Sequence, residues 1–254
     1  MAAIPPLDLN PPAGTRVFIT GGAFGLGRAT AEAYAARGGR ICILDRVAVK
    51  DAPEDWICIQ GSASSAEDTE AAFARLDRSW GGVDVAFANA GMASNKPTLD
   101  LTEEEWRQVL DLNLTGVFLT CQAAGRRMVE QKSGLILATS SIYGLTAGAR
   151  RAAYTATKAA VANLVRTLAI EWGPHGVRVN AIAPGYVETD MLLALVQRGT
   201  LNTDKMKART PLPRLGRPQD IAAMAAFLGS PGAAWINGAV IPVDGGWMAN
   251  GGPE

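Results

Sequence analysis

The chain has 254 residues, 48% apolar and 19% charged, which suits a folded globular protein of one large domain or two small ones. Its 24 Lys and Arg balance its 24 Asp and Glu, so bulk charge gives no reason to expect a nucleic acid or an anionic membrane as partner. Cys42, Cys58 and Cys121 form no C-x-x-C pair and there is one histidine, His175, so no zinc site, disulfide framework or multi-histidine metal site is expected.

Residues 1–14, with four prolines, are expected to form an extended arm, and 15–254 a single domain. No apolar run reads as a signal peptide or membrane span, so a soluble cytoplasmic protein is expected. Unpaired cysteines suit that reducing compartment. RVFIT (16–20) reads as a strand, followed by a helix over about 25–37. RICIL (40–44) and WICIQ (56–60) are the next strands, and a helix over 66–80 precedes VDVAFA (83–88). Two helices follow, near 102–112 and 113–131, then the strand GLILATS (134–140) and a long helix over 154–172. His175 falls in the loop before VRVNAIA (177–183); a looser helical region (190–209), a helix over 218–228 opened by Pro218 and the strand AVIPV (239–243) complete the series. Strands dense in Val, Ile and Leu that alternate with helices specify an α/β class fold, a doubly wound Rossmann-like domain with a parallel sheet flanked by helices.

Two features point to a dinucleotide. The first strand runs into Thr20-Gly21-Gly22-Ala23-Phe24-Gly25-Leu26-Gly27 directly before a helix, where glycines let the backbone approach a pyrophosphate at the positive end of the helix dipole. The second strand ends in Asp45, a carboxylate able to accept both ribose hydroxyls while repelling a 2′-phosphate; NAD is therefore expected over NADP, with the neighbouring Arg46 as the complication.

The spacing T-G-x-x-x-G-x-G resembles that of the short-chain dehydrogenase/reductase family, and the resemblance runs from about residue 15 to 247. Ala88-Asn89-Ala90-Gly91 is similar to the family's N-N-A-G, with Ala88 in place of the first Asn. Asn113 resembles its structural and catalytic asparagine. Ser141, Tyr154 and Lys158 resemble its catalytic serine and Y-x-x-x-K. Pro184-Gly185-Tyr186-Val187-Glu188-Thr189 resembles its P-G-x-x-x-T cofactor loop. The resemblance implies a nicotinamide-dependent alcohol dehydrogenase or ketone reductase. Its cofactor contacts would come from Gly21, Phe24, Gly25, Leu26, Gly27, Asp45, Asn89, Ala90, Gly91, Tyr154, Lys158, Pro184, Gly185, Val187 and Thr189. Ser62 and Ala63 stand where the family often has an Asp near the adenine. It also implies that Asn113 holds a water linking Lys158 to solvent, and that the protein is a homotetramer pairing its 113–131 and 154–172 helices across subunits.

The residues themselves carry the chemistry. Tyr154 and Lys158 share a helix face, and an ammonium beside a phenol of ordinary pKa about 10 favours phenolate. Tyr154 then acts as general acid/base for an alcohol or carbonyl while Ser141 holds the substrate oxygen. A hydrolase is disfavoured, because Ser140-Ser141 lacks a G-x-S-x-G setting. Tyr143, Arg151, Tyr186 and Met191 are the expected substrate-lining residues, and 190–210 is either a lid or an ordinary packed helix. The expected substrate is a neutral secondary alcohol, a polyol or the matching ketone. A hydroxy acid gripped by Arg151, and reduction of a 3-oxoacyl thioester with NADPH, are the alternatives. A dinucleotide-sensing protein without turnover would be expected to lack Tyr154 or Lys158.

Overall fold

The computed structural model describes residues 8–197, 199 and 202–250. Among them, seven strands form one parallel sheet: Arg16–Thr20 (β1), Arg40–Asp45 (β2), Ile57–Gln60 (β3), Val85–Ala88 (β4), Gly134–Thr139 (β5), Val177–Pro184 (β6) and Val240–Val243 (β7). Their spatial order is β3-β2-β1-β4-β5-β6-β7. The chain thus steps outward from β1 to β3, then returns to the far side of β1 with β4. That reversal opens a crevice beyond the C-terminal ends of β1 and β4, where such sheets hold their ligands.

The expected strands are all present, and the apolar runs of the five inner strands β2, β1, β4, β5 and β6 are buried because helices cover both faces, while the edge strands β3 and β7 are partly exposed. Gly25–Ala35 (α1) and Pro218–Leu228 (α8) cover one face, packing Ala31, Tyr34, Ile221 and Ala225 against Val17, Ile19 and Ile43. Ala66–Trp80 (α2), Gly116–Gln131 (α4) and Ala152–Trp172 (α5) cover the other, with Phe73, Cys121, Met128 and Val165 against Phe18, Ala86 and Ile136. Tyr34, sealed between α1 and α8, donates to the carbonyl of Ala225 at 2.8 Å, which satisfies its hydroxyl.

The segment near 113 departs from expectation. Glu103–Leu110 (α3) does not stop before a second helix; it runs into α4 through a π turn at Asp111–Thr115. The wider turn rotates Asn113 into the interior, where it is completely buried. The acidic start of α3 has a local explanation. Thr102 and Glu105 form a reciprocal capping box, and Glu105 also pairs with Lys96 at 2.8 Å.

The region after β6 resolves into Asp190–Gln197 (α6) and Thr203–Arg209 (α7). It is an ordinary packed element as well as a cavity wall, since Leu192 and Met206 bury against Leu215 and Tyr186. Of the N-terminal arm, residues 8–14 lie along the body: the Asp8 carbonyl accepts from Gly232 N and the Gly14 N–H donates to Gly38 O. Residues 1–7 lie outside the described residues. His175 closes a short 3₁₀ turn before β6.

Candidate active site

The C-terminal ends of β1, β4 and β5 are joined by Asn89. Its amide nitrogen donates to the carbonyls of Gly21 at 2.9 Å and Thr20 at 3.2 Å, and its amide oxygen accepts from the Thr139 hydroxyl at 3.0 Å. The Thr20 hydroxyl accepts in return from the N–H groups of Asn89 and Ala90. The glycine turn is thereby fixed against the sheet. Gly21 and Gly25 have positive φ, at 67° and 59°, which a side chain would resist. A Cβ at Gly27 would lie 2.2 Å from the Gly21 carbonyl oxygen, so this glycine permits close helix–strand packing. Gly27 supports the turn from beneath and does not itself line the cavity.

The turn opens on a cavity of about 420 Å³. Gly21, Phe24, Gly25, Leu26, Asp45, Ala63, Asn89, Ala90, Gly91, Pro184, Gly185, Val187 and Thr189 all line it. The first turn of α1 carries no acidic residue and no side-chain cap, so its N-terminus suits an anion. The Asp45 carboxylate is held at both oxygens, accepting from Ala23 N at 2.9 Å and Val47 N at 3.0 Å. The cradle therefore fits a dinucleotide: a turn stripped of side chains, an open helix start and a fixed carboxylate one strand away.

Ser62 does not line the cavity. Its hydroxyl bonds Ser64 at 2.9 Å, its N–H donates to Asp68 at 2.7 Å, and only its neighbours Gly61 and Ala63 line the cavity. The acid that shapes this corner is Asp68, in the first turn of α2. Its position six residues after Ser62, beyond a cap at Ser65, hid it in the sequence.

Ser141, Tyr154 and Lys158 converge on the same cavity. Ser141 leaves the end of β5 in extended conformation, and its oxygen accepts from Tyr143 N at 3.1 Å. Lys158, one helical turn after Tyr154, is buried and donates to the Thr139 carbonyl at 2.7 Å. Asn113 does not line the cavity. Both ends of its amide are taken by the backbone of Met92, at 2.8 and 2.9 Å, so it pins the loop after β4. A Cβ built on Gly91 would come within 3.2 Å of Asn113 Oδ1 and 3.6 Å of Lys158 Nζ, so both polar groups face one glycine.

Electrostatically the site differs from expectation. Burial raises the Tyr154 phenol above its ordinary range, opposed by the nearby Ser141 hydroxyl and the charge of Arg151. Burial also lowers Lys158 to about 8. A shared helix face with Lys158 is thus not enough to favour phenolate, because desolvation disfavours both charges.

The far wall holds Tyr143, Tyr186, Arg151 and Met191, all lining the cavity. The two tyrosine hydroxyls are 2.6 Å apart. Arg151 is 8% exposed, lies 4.7 Å over the Tyr143 ring and makes no ion pair among the described residues. Met92, Leu192 and Leu195 add apolar surface. No group of three or more His, Cys, Asp or Glu able to hold a metal occurs among the described residues.

A family model described as enoyl-(acyl carrier protein) reductase matches residues 21–248. The chain is 38% identical to cis-4-hydroxycyclohexanecarboxylate dehydrogenase of Sinomonas cyclohexanicum, over 91% of this chain and 95% of that one. It is 37% identical to the L-tagatose-forming galactitol 2-dehydrogenase of Cereibacter sphaeroides, over 90% and 93%. The crystal structure of levodione reductase superimposes with a TM-score of 0.88 at 32% identity, covering 94% of this chain and 99% of that one. Fold and site define a Rossmann-like oxidoreductase. The chain belongs to the short-chain dehydrogenase/reductase family, whose named relatives here are dehydrogenases and reductases of alcohol and carbonyl groups.

The buried Lys158 has a measurable consequence. Its lowered pKa means that between pH 8 and 10.5 the unfolded chain holds a proton that the folded chain lacks, so this group's penalty, about 3 kcal/mol, is full below pH 8 and fades as pH rises. Lys158→Met is expected to match or exceed wild-type stability at pH 7, with the difference shrinking towards pH 10. Urea unfolding at the two pH values checks this; a variant weaker by more than about 2 kcal/mol at pH 7 would mean that the Thr139 contact outweighs desolvation.

Proposed function

We propose that this chain is an NAD-dependent dehydrogenase that interconverts a secondary alcohol or polyol and its ketone, with Tyr154 as general acid/base. The observation that carries this is the convergence of Ser141, Tyr154 and buried Lys158 on the same cavity as the glycine cradle. NAD is favoured by Asp45, whose carboxylate is fixed at the cavity edge where a 2′-phosphate would meet its charge. When bound, the nicotinamide supplies the hydride acceptor or donor.

The residues do the rest. Ser141 orients the substrate oxygen and stabilises developing negative charge on it. Tyr154 exchanges a proton with that oxygen at its own hydroxyl. With its pKa raised by burial, the phenol holds its proton at neutral pH, which favours carbonyl reduction, while alcohol oxidation gains as pH rises. Lys158 stabilises the phenolate when it forms, and Asn113, by pinning the loop after β4 through Met92, keeps Gly91 beside Lys158. Residues 15–254 act as one catalytic domain in the cytoplasm.

The test is reduced-nicotinamide absorbance with NAD and NADP against polyols, alicyclic secondary alcohols and hydroxy acids. Turnover with NAD is expected to exceed that with NADP, to rise with pH in the oxidation direction, and to fall at least about a thousandfold in Tyr154→Phe. Unchanged turnover in Tyr154→Phe would sink the assignment.

A second reading, an alcohol that also carries a carboxylate, is favoured by Arg151: a buried guanidinium that faces the cavity and has no carboxylate partner among the described residues asks for an anion. The name of the Sinomonas relative joins a secondary alcohol to a carboxylate. Arg151→Gln is expected to raise KM for a hydroxy acid at least tenfold and leave a neutral alcohol within about threefold. Equal loss on both substrates would leave Arg151 only its electrostatic effect on Tyr154.

The exposed apolar residues Phe118 on α4 and Ile170 on α5, at 41% and 77%, support a homotetramer that pairs these helices across subunits. Sedimentation at micromolar concentration should give four times the 26.6 kDa chain mass; a monomer would overturn it.

A further inference from the structure

We infer that Trp247, which does not reach the cavity, is a positioning residue that braces the Tyr143–Tyr186 phenol pair and fastens α7 to it. The inference rests on the reading above only in taking that wall as the substrate side.

Tyr143 comes from the turn after β5 and Tyr186 from the loop after β6, so their hydroxyl–hydroxyl bond of 2.6 Å joins two separate loops. That bond holds the hydroxyl tips, and Trp247 packs against the rings themselves: its indole makes T-shaped contacts with both, 5.9 Å from Tyr143 and 6.0 Å from Tyr186, and is only 5% exposed. Removing the indole would leave a void against both phenols and free each ring to turn.

The opposite contact of the indole is to α7. The Arg209 guanidinium, at the last position of that helix, stacks 3.9 Å from the indole centroid. The segment that presents Trp247 is built around this contact. The Asp244 carboxylate accepts from Gly246 N and Met248 N, both at 2.9 Å, which closes a tight turn. Gly245 and Gly246 have positive φ, and a Cβ on them would meet Thr210 at 2.8 Å and Pro211 at 3.1 Å, so the turn nests against the chain that leaves α7. Two hydrogen bonds complete the fastening: Leu212 N to Gly245 O at 3.1 Å, and the Asn250 amide to Arg209 O at 3.0 Å.

From α7 the packing continues to the cavity. Met206 buries against Leu192 of α6, beside Tyr186, and Leu192 lines the cavity with Met191 and Leu195. A core tryptophan with a purely space-filling role has no need of a cation from one element on its face and two hydroxyl-paired rings at its edge. This one ties the C-terminal turn, α7 and the substrate wall into one unit, leaving the glycine cradle out of it.

The test is hydrogen–deuterium exchange on the full chain, with and without NADH, for wild type, Trp247→Ala, Trp247→Phe and Arg209→Met. Trp247→Ala is expected to speed amide exchange about tenfold or more across 203–212 and 142–146, with β1 and α1 unchanged and NADH affinity within about threefold. Trp247→Phe should restore most of the protection. Arg209→Met should loosen 203–212 alone, and it keeps the question answerable if Trp247→Ala does not fold. Where turnover is measured, the loss in Trp247→Ala should fall on KM with kcat within about threefold. Unchanged exchange at both segments, an equal rise throughout the sheet, or failure of Trp247→Phe to rescue would each overturn the inference. Exchange in the free protein decides the matter even if no alcohol is turned over, so failure of the proposed activity stays distinguishable.

Discussion

One side chain holds three strand ends in register, and the site depends on it. Asn89 binds the carbonyls of Thr20 and Gly21 with its amide nitrogen and the Thr139 hydroxyl with its oxygen. The Gly21 carbonyl so held is the atom beneath which Gly27 must pass, and the Thr139 carbonyl is the anchor of Lys158. The cofactor cradle and the proton-transfer group are therefore referenced to the same point of the sheet. An aspartate at position 89 would keep the acceptor and lose both donors, leaving two partly buried carbonyls against a negative charge. Ala88 lies fully buried in β4, so the turn at the cleft is shaped by Asn89 and the backbone around it.

Desolvation sets the character of the site more than pairwise charge does. Lys158 is carried into the interior although burial lowers its pKa to about 8, and the neighbouring phenol is raised by the same cause. Both groups thus sit nearer neutral charge than they would in water, which makes their protonation states sensitive to whatever charge enters the cavity. Arg151 adds a second buried cation, and its field lowers the Tyr154 pKa. A ligand anion on Arg151 would weaken that field at the phenol, so substrate charge and proton transfer are linked through a few ångströms of low-dielectric space.

Much of this was legible in the sequence. Strand–helix alternation fixed the sheet because each apolar run could bury only between two helical layers, and Tyr154, Lys158, Ser141 and the glycine turn are local patterns with a local reason. What escaped reading depends on tertiary contact. Ser62 lies in the expected place, yet Asp68 takes its N–H and Ser64 its hydroxyl, because the Ser65 cap brings the first turn of α2 back over that corner. The inward turn of Asn113 needs a π turn, which no periodicity announces. The adjacent Arg150 and Arg151 look like one solvated pair; only the fold separates them, with Arg150 exposed and Arg151 buried against Tyr143. Trp247, close to the end of the chain, has no motif at all.

The separation of those two arginines shows how the substrate wall is held. Arg150 adopts φ 66°, a left-handed conformation that a non-glycine residue takes only when its surroundings enforce it. The enforcing contacts are visible: the Arg150 carbonyl accepts from Lys96 N at 2.8 Å, and Lys96 is itself paired with Glu105 at the start of α3. On the other side, Gly148 leaves room that a Cβ would deny, at 2.4 Å from Tyr143 and 3.1 Å from Arg151. The reversal at Arg150 turns the next side chain inward, onto the Tyr143 ring. The loop after β4 and the loop after β5 thus share a hydrogen bond at the point that aims Arg151, while the phenol pair joins the loop after β5 to the loop after β6. Three loops from three adjacent strands are linked in series across the cavity mouth. A substitution in any one of them would alter the shape that a substrate meets in the other two, whereas the cradle, locked separately at Asn89, would keep its form.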